Sequence, residues 1–432
     1  MIYENETSSL NSIKISKYIN KNIKDVKRKY LNNKIKEHFK KYYDNNYIIP
    51  TIIIQIIILF GIFYKINFFH FLKEKILNIN NDRDIIDSKN YIDFEKIKLR
   101  FSNNSFLYSY LVQINIISHI YKKNLIELKN NKNNVHICMS FNDVYIYPIL
   151  VSVESVLINC NKNKTFVTYH FLCTPDVKNN TISILKSLMN RYSTNLEMIF
   201  YDMGNTFINH IPFRLSQSTY YRLLAPIIFD IERIIFLDGD TLGLKDLSEM
   251  YQAEFNENYV LGFLDIATNG VDHLGIKSEK FINAGVILLN LEKIRNDNKT
   301  FDLIQIIDNN ISLPQQDQTI INYIFYPKIG ILPSKYSIWN FHDKLDIEKY
   351  LSRIRTKLDI NELENSLNDT CILHITLCWP KIWKNNSRYN FFTACKQRGN
   401  CDCRKYQDLW YAYARKTEYY NQILNYTKYV NY

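Results

Sequence analysis

From Val135 onward, apolar residues fall in short runs separated by amphipathic stretches. The run VHICMS (135–140) predicts a buried strand, and PILVSVESVLI (148–158) puts Ile149, Val153, Val156 and Leu157 on one helical face. FVTYHFLCT (166–174) predicts a second strand, TISILKSLMNRY (181–192) a helix, and NLEMIFYD (195–202) a third strand. A helical stretch over 216–226 precedes a fourth strand, RIIFLDGD (233–240). YVLGFLDI (259–266) and NAGVILLNL (283–291) read as further β segments, and a helix follows near 316–326. Strands alternating with helices predict an α/β fold, a mostly parallel sheet with helices on both faces. Ligands of such sheets sit at the carboxyl ends of the strands, so candidate chemistry belongs just after each apolar run.

Before Val135 the pattern differs. Asn45 to Tyr64 is twenty residues without a charge, almost wholly aliphatic or aromatic from Ile48 to Phe63. As a helix it spans a hydrocarbon core of roughly 30 Å, with Pro50 in the first turn. Residues 1–46 hold eleven Lys or Arg against five acids, so six of the eleven net positive charges of the chain sit beside this segment. The rest of the chain is only mildly basic, which points to a membrane and away from nucleic acid. The expected organisation is a basic cytosolic tail (1–44), a transmembrane signal-anchor (45–66, spanning through 45–64) and a charge-dense, Asn-rich stem (67–133). A catalytic domain (134–390) and a C-terminal extension (391–432) follow. The orientation is type II and single-pass, with the bulk of the chain in the lumen of the endoplasmic reticulum or Golgi. Eight cysteines would be free to oxidise there. Cys395, Cys401 and Cys403 suggest a local disulfide clasp, with a zinc site as the rival reading.

The most informative segment is RIIFLDGDTLGLKDLSEMY (233–251), in which an apolar strand delivers Asp238 to its end and Asp240 lies two positions on. Paired carboxylates at a strand end suit a hard divalent cation, Mn²⁺ or Mg²⁺. The same D-x-D spacing at Asp82-Arg83-Asp84 lacks a buried strand before it and is assigned nothing.

This segment resembles glycosyltransferase family 8, whose members carry a run like YLDxDxLVxxDLxxLY; Phe236 to Asp240 and Asp246 to Tyr251 follow it. Other blocks are similar and occur in the family's order. The resemblance implies a GT-A type nucleotide-diphospho-sugar transferase domain that uses a UDP-sugar and a metal, and that retains anomeric configuration. Ser140, Asn142, Asp143 and Tyr145 correspond to the loop reading uracil and ribose, with Asn142 and Val144 departing from the usual Asp and Asn. Arg222, in STYYRL, corresponds to an Arg touching donor phosphate or sugar. Leu237, Gly239, Asp265, Asn283, Ala284 and Gly285 fall among donor-binding positions, and Asp317 and Gln318 in the block around the transferred sugar. His374 corresponds to the third metal ligand beside Asp238 and Asp240, and Lys381 to the residue meeting the diphosphate. The spacing between these last two is one residue longer than usual, Leu377 stands for a Gly and Ile382 for a Pro. The implied acceptor is a glycan, glycoprotein or glycolipid; the alternative is a catalytically inactive lumenal sugar-binding or scaffolding module.

Overall fold

Uninterrupted apolar runs such as FVTYHFLC form strands that need cover on both faces, and they occupy the centre of the sheet. The computed structural model describes residues 84–89, 93–210, 216–265, 274–309, 313, 315–341, 344–353, 358–376, 381, 383 and 404–429. All belong to one unit running from Asn78 to Tyr432. Its strands are β1 (Ile85–Ser88), β2 (Asn115–Lys122), β3 (Asn133–Phe141), β4 (Thr165–Cys173), β5 (Leu196–Asp202) and β6 (Arg233–Leu237). They continue with β7 (Thr241–Gly243), β8 (Val260–Leu264), β9 (Ile282–Asn290), β10 (Ile329–Ile331), β11 (Ser337–Trp339) and β12 (Ile372–His374).

Nine strands form one sheet in the order β1-β2-β5-β4-β3-β6-β9-β8-β10, and β11-β12-β7 form a second, smaller sheet. Every residue of β4 is buried. Alternation along β3 sends Ile137 and Met139 into one apolar layer, with helix Ile146–Asn159, and Cys138 into the opposite layer with Phe236. From β3 the chain winds through β4 to β5 on one side and then returns to lay β6 on the other. The carboxyl ends of β3 and β6 therefore flank a topological switch point, where such sheets bind ligands.

Three expectations need correction. The large sheet is mixed: β5-β4-β3-β6 and β8-β10 pair in parallel, whereas β9 runs antiparallel between β6 and β8, and β2 runs antiparallel to β5. An apolar run reports burial and carries no direction. The stem expected over 67–133 is, in its described part, integral to the domain: β2 extends the sheet, and Leu111, Ile114 and Ile120 are fully buried. The helix expected over 181–192 is two, Asn179–Lys186 and Met189–Tyr192.

The C-terminal extension contributes helices Arg404–Ala414 and Tyr420–Tyr429, whose Tyr406, Trp410, Ala414 and Ile423 join the core beside helix Ile146–Asn159. Cys138, Cys160, Cys173 and Cys371 are buried free thiols. Among the described residues no helix is long and apolar enough to cross a membrane. The apolar segment 45–64, the basic tail and Cys378, Cys395, Cys401 and Cys403 lie outside the described residues.

Candidate active site

Ile234, Ile235, Phe236 and Leu237 are buried and carry β6 straight to Asp238. There the Asp238 amide donates to Gly285 O at 2.8 Å, extending the pairing with β9, and Thr241 Oγ1 donates to Asp238 O at 2.8 Å, closing a tight turn. β7 then lies on helix Ile146–Asn159. Gly243 permits this approach, since a Cβ there would stand 2.5 Å from Val156 Cγ2. Because β12 pairs antiparallel with β7, with Thr241 opposite His374, the register alone delivers an imidazole from 134 residues downstream to Asp240.

The result is a cluster in which one ligand atom each from Asp238, Asp240 and His374 lie within 4.8 Å of one another. His374 Nε2 is 3.2 Å from Asp240 Oδ1, and Lys381 Nζ donates to Asp240 Oδ2. Two carboxylate oxygens and an imidazole nitrogen form a donor set that suits Mn²⁺, and Mg²⁺ less well. Gly285 forms the floor of this cradle: a Cβ would come within 2.3 Å of His374 Cε1 and 2.6 Å of Asp238 Oδ2. Burial raises the pKa of Asp240, but the charges of Lys381 and His374 outweigh it and hold the carboxyl well below its ordinary range.

Arg222 lies on a 3₁₀ segment, Gln217–Leu224, within the helical stretch expected over 216–226. Its guanidinium is buried and turned toward the protein. Nη2 donates to Asp238 Oδ1 at 2.8 Å, Nε stands 3.1 Å from Asp317 Oδ2, Nη1 donates to Ala284 O at 2.5 Å, and the plane covers the Phe236 ring at 3.9 Å. Arg222 thus orients Asp238 from behind. Burial pushes the Asp317 pKa up to about 6, with Arg222 opposing and the Asp238 charge adding to it.

Asp265, Asn283 and Gln318 form one network. Asn283 Nδ2 and Gln318 Nε2 both donate to Asp265 Oδ2, at 2.8 and 3.0 Å. Gln318 Oε1 accepts from Asn283 Nδ2 and from the Ala284 amide, each at 3.1 Å. Sequence reasoning missed Gln315, whose Oε1 accepts from Gln318 Nε2 at 2.6 Å. Gln315 and Gln316 both adopt positive φ, 58° and 52°, at the entry to helix Asp317–Phe325, a conformation no side-chain pattern announces.

The loop after β3 is less converged. Asp143 accepts from Thr181 Oγ1, and its amide donates to Asp176 Oδ2 at 3.2 Å, so it is engaged away from the Asp240 cluster. Tyr145 sets its ring edge-on to Trp383, with centroids 6.3 Å apart. Asn142 Oδ1 is buried with no hydrogen-bond partner among the described residues, an arrangement a ligand donor would relieve. Ser140 lies near the end of β3, Leu237 is core, and Gly239 faces Ile149.

A mixed sheet with this switch point, and an Asp-x-Asp turn closed by a distant His, define a glycosyltransferase of the GT-A fold. The chain belongs to glycosyltransferase family 8: residues 136–374 match the family described as "Glycosyl transferase family 8". It is 26% identical over 298 residues to a lipopolysaccharide 1,2-glucosyltransferase of Escherichia coli, covering 62% of this chain and 82% of that one. It is also 26% identical over 207 residues to a putative glycosyltransferase of Haemophilus influenzae, covering 45% and 61%. Among solved structures, the bifunctional glycosyltransferase WbbM in its apo form superposes with a TM-score of 0.55 at 19% identity, over 68% of this chain. This chain spans about half of that protein, 52%. The likeness shows the shared fold.

Proposed function

We propose that the chain moves a hexosyl or pentosyl group from a UDP-sugar to a glycan, glycoprotein or glycolipid acceptor, with retention of anomeric configuration and with Mn²⁺ or Mg²⁺ at Asp238, Asp240 and His374. The observation that carries this reading is the convergence of three ligand atoms within 4.8 Å at the end of a buried strand. Such a cation, when bound, supplies Lewis-acid stabilisation of charge on a departing diphosphate. Lys381, against Asp240, brings a positive charge to the same end of the site, where preorganised charge is most effective. Arg222 fixes Asp238 in its pose. Asp265, Asn283 and Gln318 present a preordered polar wall for sugar hydroxyls. Gln318 Oε1 already accepts two hydrogen bonds, and an amide oxygen is a weak nucleophile. This favours front-face attack by the acceptor over an intermediate attached to that residue.

The irregular final block and Asn142 are the grounds for an inactive module; the contacts of His374 and Lys381 with Asp240 speak against it. The test is release of UDP from a panel of UDP-hexoses and UDP-pentoses by the full chain, with and without Mn²⁺. Metal-dependent release from at least one donor is expected. No release from any, or release undiminished by EDTA, overturns the reading. From the sequence we also infer a type II anchor through residues 45–64 in the endoplasmic reticulum or Golgi membrane. Resistance to carbonate extraction and protection of a C-terminal tag in sealed microsomes are expected, and digestion of the tag refutes that orientation.

A further inference from the structure

The family match ends at His374, yet the helix Arg404–Ala414 lies directly behind the two segments that complete the cation cluster. Tyr406, Trp410 and Ala414 are spaced by four and form its buried face, at 3%, 1% and 0% exposure. Trp410 packs on Trp383, with centroids 6.0 Å apart, and Trp383 is itself buried, two residues beyond Lys381. One turn earlier on the same face, the Tyr406 hydroxyl donates to Phe341 O. Phe341 directly follows the segment that holds His374: β11 pairs Trp339 with His374, and the Asn340 amide donates to His374 O at 3.2 Å. One helix face thus reaches both the 339–341 segment, which pairs with the strand carrying His374, and the segment carrying Lys381. The helix is in turn tied to the domain by Asn159 Nδ2 donating to the Tyr413 hydroxyl at 2.8 Å and by Arg191 Nη1 donating to Lys416 O at 3.1 Å.

We propose that the C-terminal helix Arg404–Ala414 is a positioning element for the donor site, Trp410 setting Lys381 through Trp383 and Tyr406 setting His374 through the 339–341 segment. The proposal rests on the donor reading above. It divides the helix into two arms with different signatures: the Trp410 arm controls affinity for a diphosphate, and the Tyr406 arm controls affinity for the cation.

Calorimetric binding of UDP, uridine and Mn²⁺ to the full chain separates them. Trp410→Ala is expected to weaken UDP about tenfold, the worth of a mislaid charged contact, while uridine binding falls by clearly less, since Trp383 also meets the Tyr145 ring but the turn beneath that ring closes on its own Tyr145 N to Asn142 O bond. Should the alanine variant fail to fold, Trp410→Leu carries the comparison: it keeps more of the apolar volume than alanine and removes an indole N–H that is buried with no partner among the described residues. In a Lys381→Met background the Trp410 change is expected to add nothing further, whereas a merely structural role would give additive losses. Tyr406→Phe is expected to raise the Mn²⁺ concentration for half-saturation about threefold with uridine binding unchanged, the worth of one neutral hydrogen bond. Wild-type protein that binds no UDP with Mn²⁺ sinks the donor reading and the positioning role with it. Wild-type binding accompanied by equal losses of UDP and uridine, by no loss of UDP, or by additivity with Lys381→Met overturns the positioning role alone.

Discussion

At the carboxyl end of β6, Asp238, Asp240, His374, Lys381 and Arg222 converge; toward the opposite flank, β2, β3, β4 and β5 bury a second polar cluster built from His119, His136, His170 and Glu197. The second is a closed chain. Glu197 Oε1 is 2.6 Å from His119 Nε2, and its other oxygen meets Lys129 Nζ at 2.5 Å and accepts from Thr168 Oγ1 at 2.9 Å. Thr168 Oγ1 is also 3.0 Å from Asn134 Oδ1, Asn134 Nδ2 meets His136 Nε2, His136 Nδ1 is 2.9 Å from His170 Nε2, and His170 Nδ1 is 3.4 Å from the Tyr201 hydroxyl. Both clusters combine carboxylate, imidazole and a lysine. They differ in what the groups face. In the flank each named group is turned to another: His119, Thr168, His170 and Glu197 are buried on the strands, and the partly exposed Lys129, on helix Leu125–Asn130, points its ammonium in at Glu197, which makes the cluster part of the core. At the strand ends three ligand atoms point into one space and the Asp238 side chain keeps 33% of its exposure, which leaves a ligand a way in.

The sharpest break between them is a pair of isosteric changes. Asp240→Asn is expected to cost about 10²- to 10³-fold in sugar transfer and to abolish Mn²⁺-dependent UDP binding in protein that still folds. Glu197→Gln is expected to do the reverse. It removes the buried carboxylate that His119, Lys129 and Thr168 share and is expected to cost about 1–3 kcal/mol of stability, with Mn²⁺ affinity per folded molecule unchanged. Thermal melts and calorimetry on both variants decide the matter, and a Glu197→Gln protein with normal stability but lost metal binding would invert the assignment.

Acid should separate the clusters next. Burial, aided by the charge on Lys129 and opposed by Glu197, lowers His136 from 6.5 to about 4, and burial with the neighbouring His136 holds His170 well below its ordinary value. Between pH 6.5 and about 4 the unfolded chain therefore binds protons that the folded chain refuses, so stability falls as pH falls across that window. The His136 share is about 3 kcal/mol, and above pH 6.5 it contributes no slope. Glu197 acts lower down. Although burial opposes it, His119 and Lys129 hold its carboxyl at about 2, so its contribution is present above pH 4.5 and is lost from there toward 2. Urea unfolding against pH measures both, and His136→Gln should flatten the upper segment. A wild-type stability level from pH 7 to 4 would contradict this account.

Which parts were readable from residues alone follows from range. Asp238-Gly239-Asp240 was legible because a run of buried residues precedes it, a local signal. The apolar runs of β3, β4, β5 and β6 were legible for the same reason. β2 was not: NIISHIYK puts Ser118 and His119 at buried positions, and its burial depends on β5, about eighty residues away. The antiparallel course of β9 is likewise a property of pairing, which no single run encodes. His374 and Lys381 were named through family resemblance, but the β7–β12 register that brings the imidazole home appears only in three dimensions. The same holds for Gln315, for the inward turn of Arg222, and for the helix behind Lys381.

Gly285 offers the finest test of the comparison, because its role in the cluster is steric. It sits on β9 opposite the β6 turn, and a methyl group there would press on His374 at 2.3 Å and on Asp238 at 2.6 Å, nearer than unbonded atoms pack. The Asp238 carboxylate, though held by Arg222 through one oxygen, is partly exposed and has room to yield, whereas His374 is buried at 3% exposure on β12, paired with both β7 and β11. The strain therefore falls on the alignment of the imidazole with Asp240. Gly285→Ala is expected to raise the Mn²⁺ demand about tenfold, the equivalent of a mild overpacking strain, with uridine affinity and the pH profile of stability unchanged. His374→Ala serves as the reference, and should raise the demand at least as far. If Gly285→Ala left Mn²⁺ demand at the wild-type level while His374→Ala raised it, the imidazole would have room the structure denies it. If neither variant changed the demand, His374 would belong to the core, with its contact to Asp240 no more functional than the closed chain around Glu197.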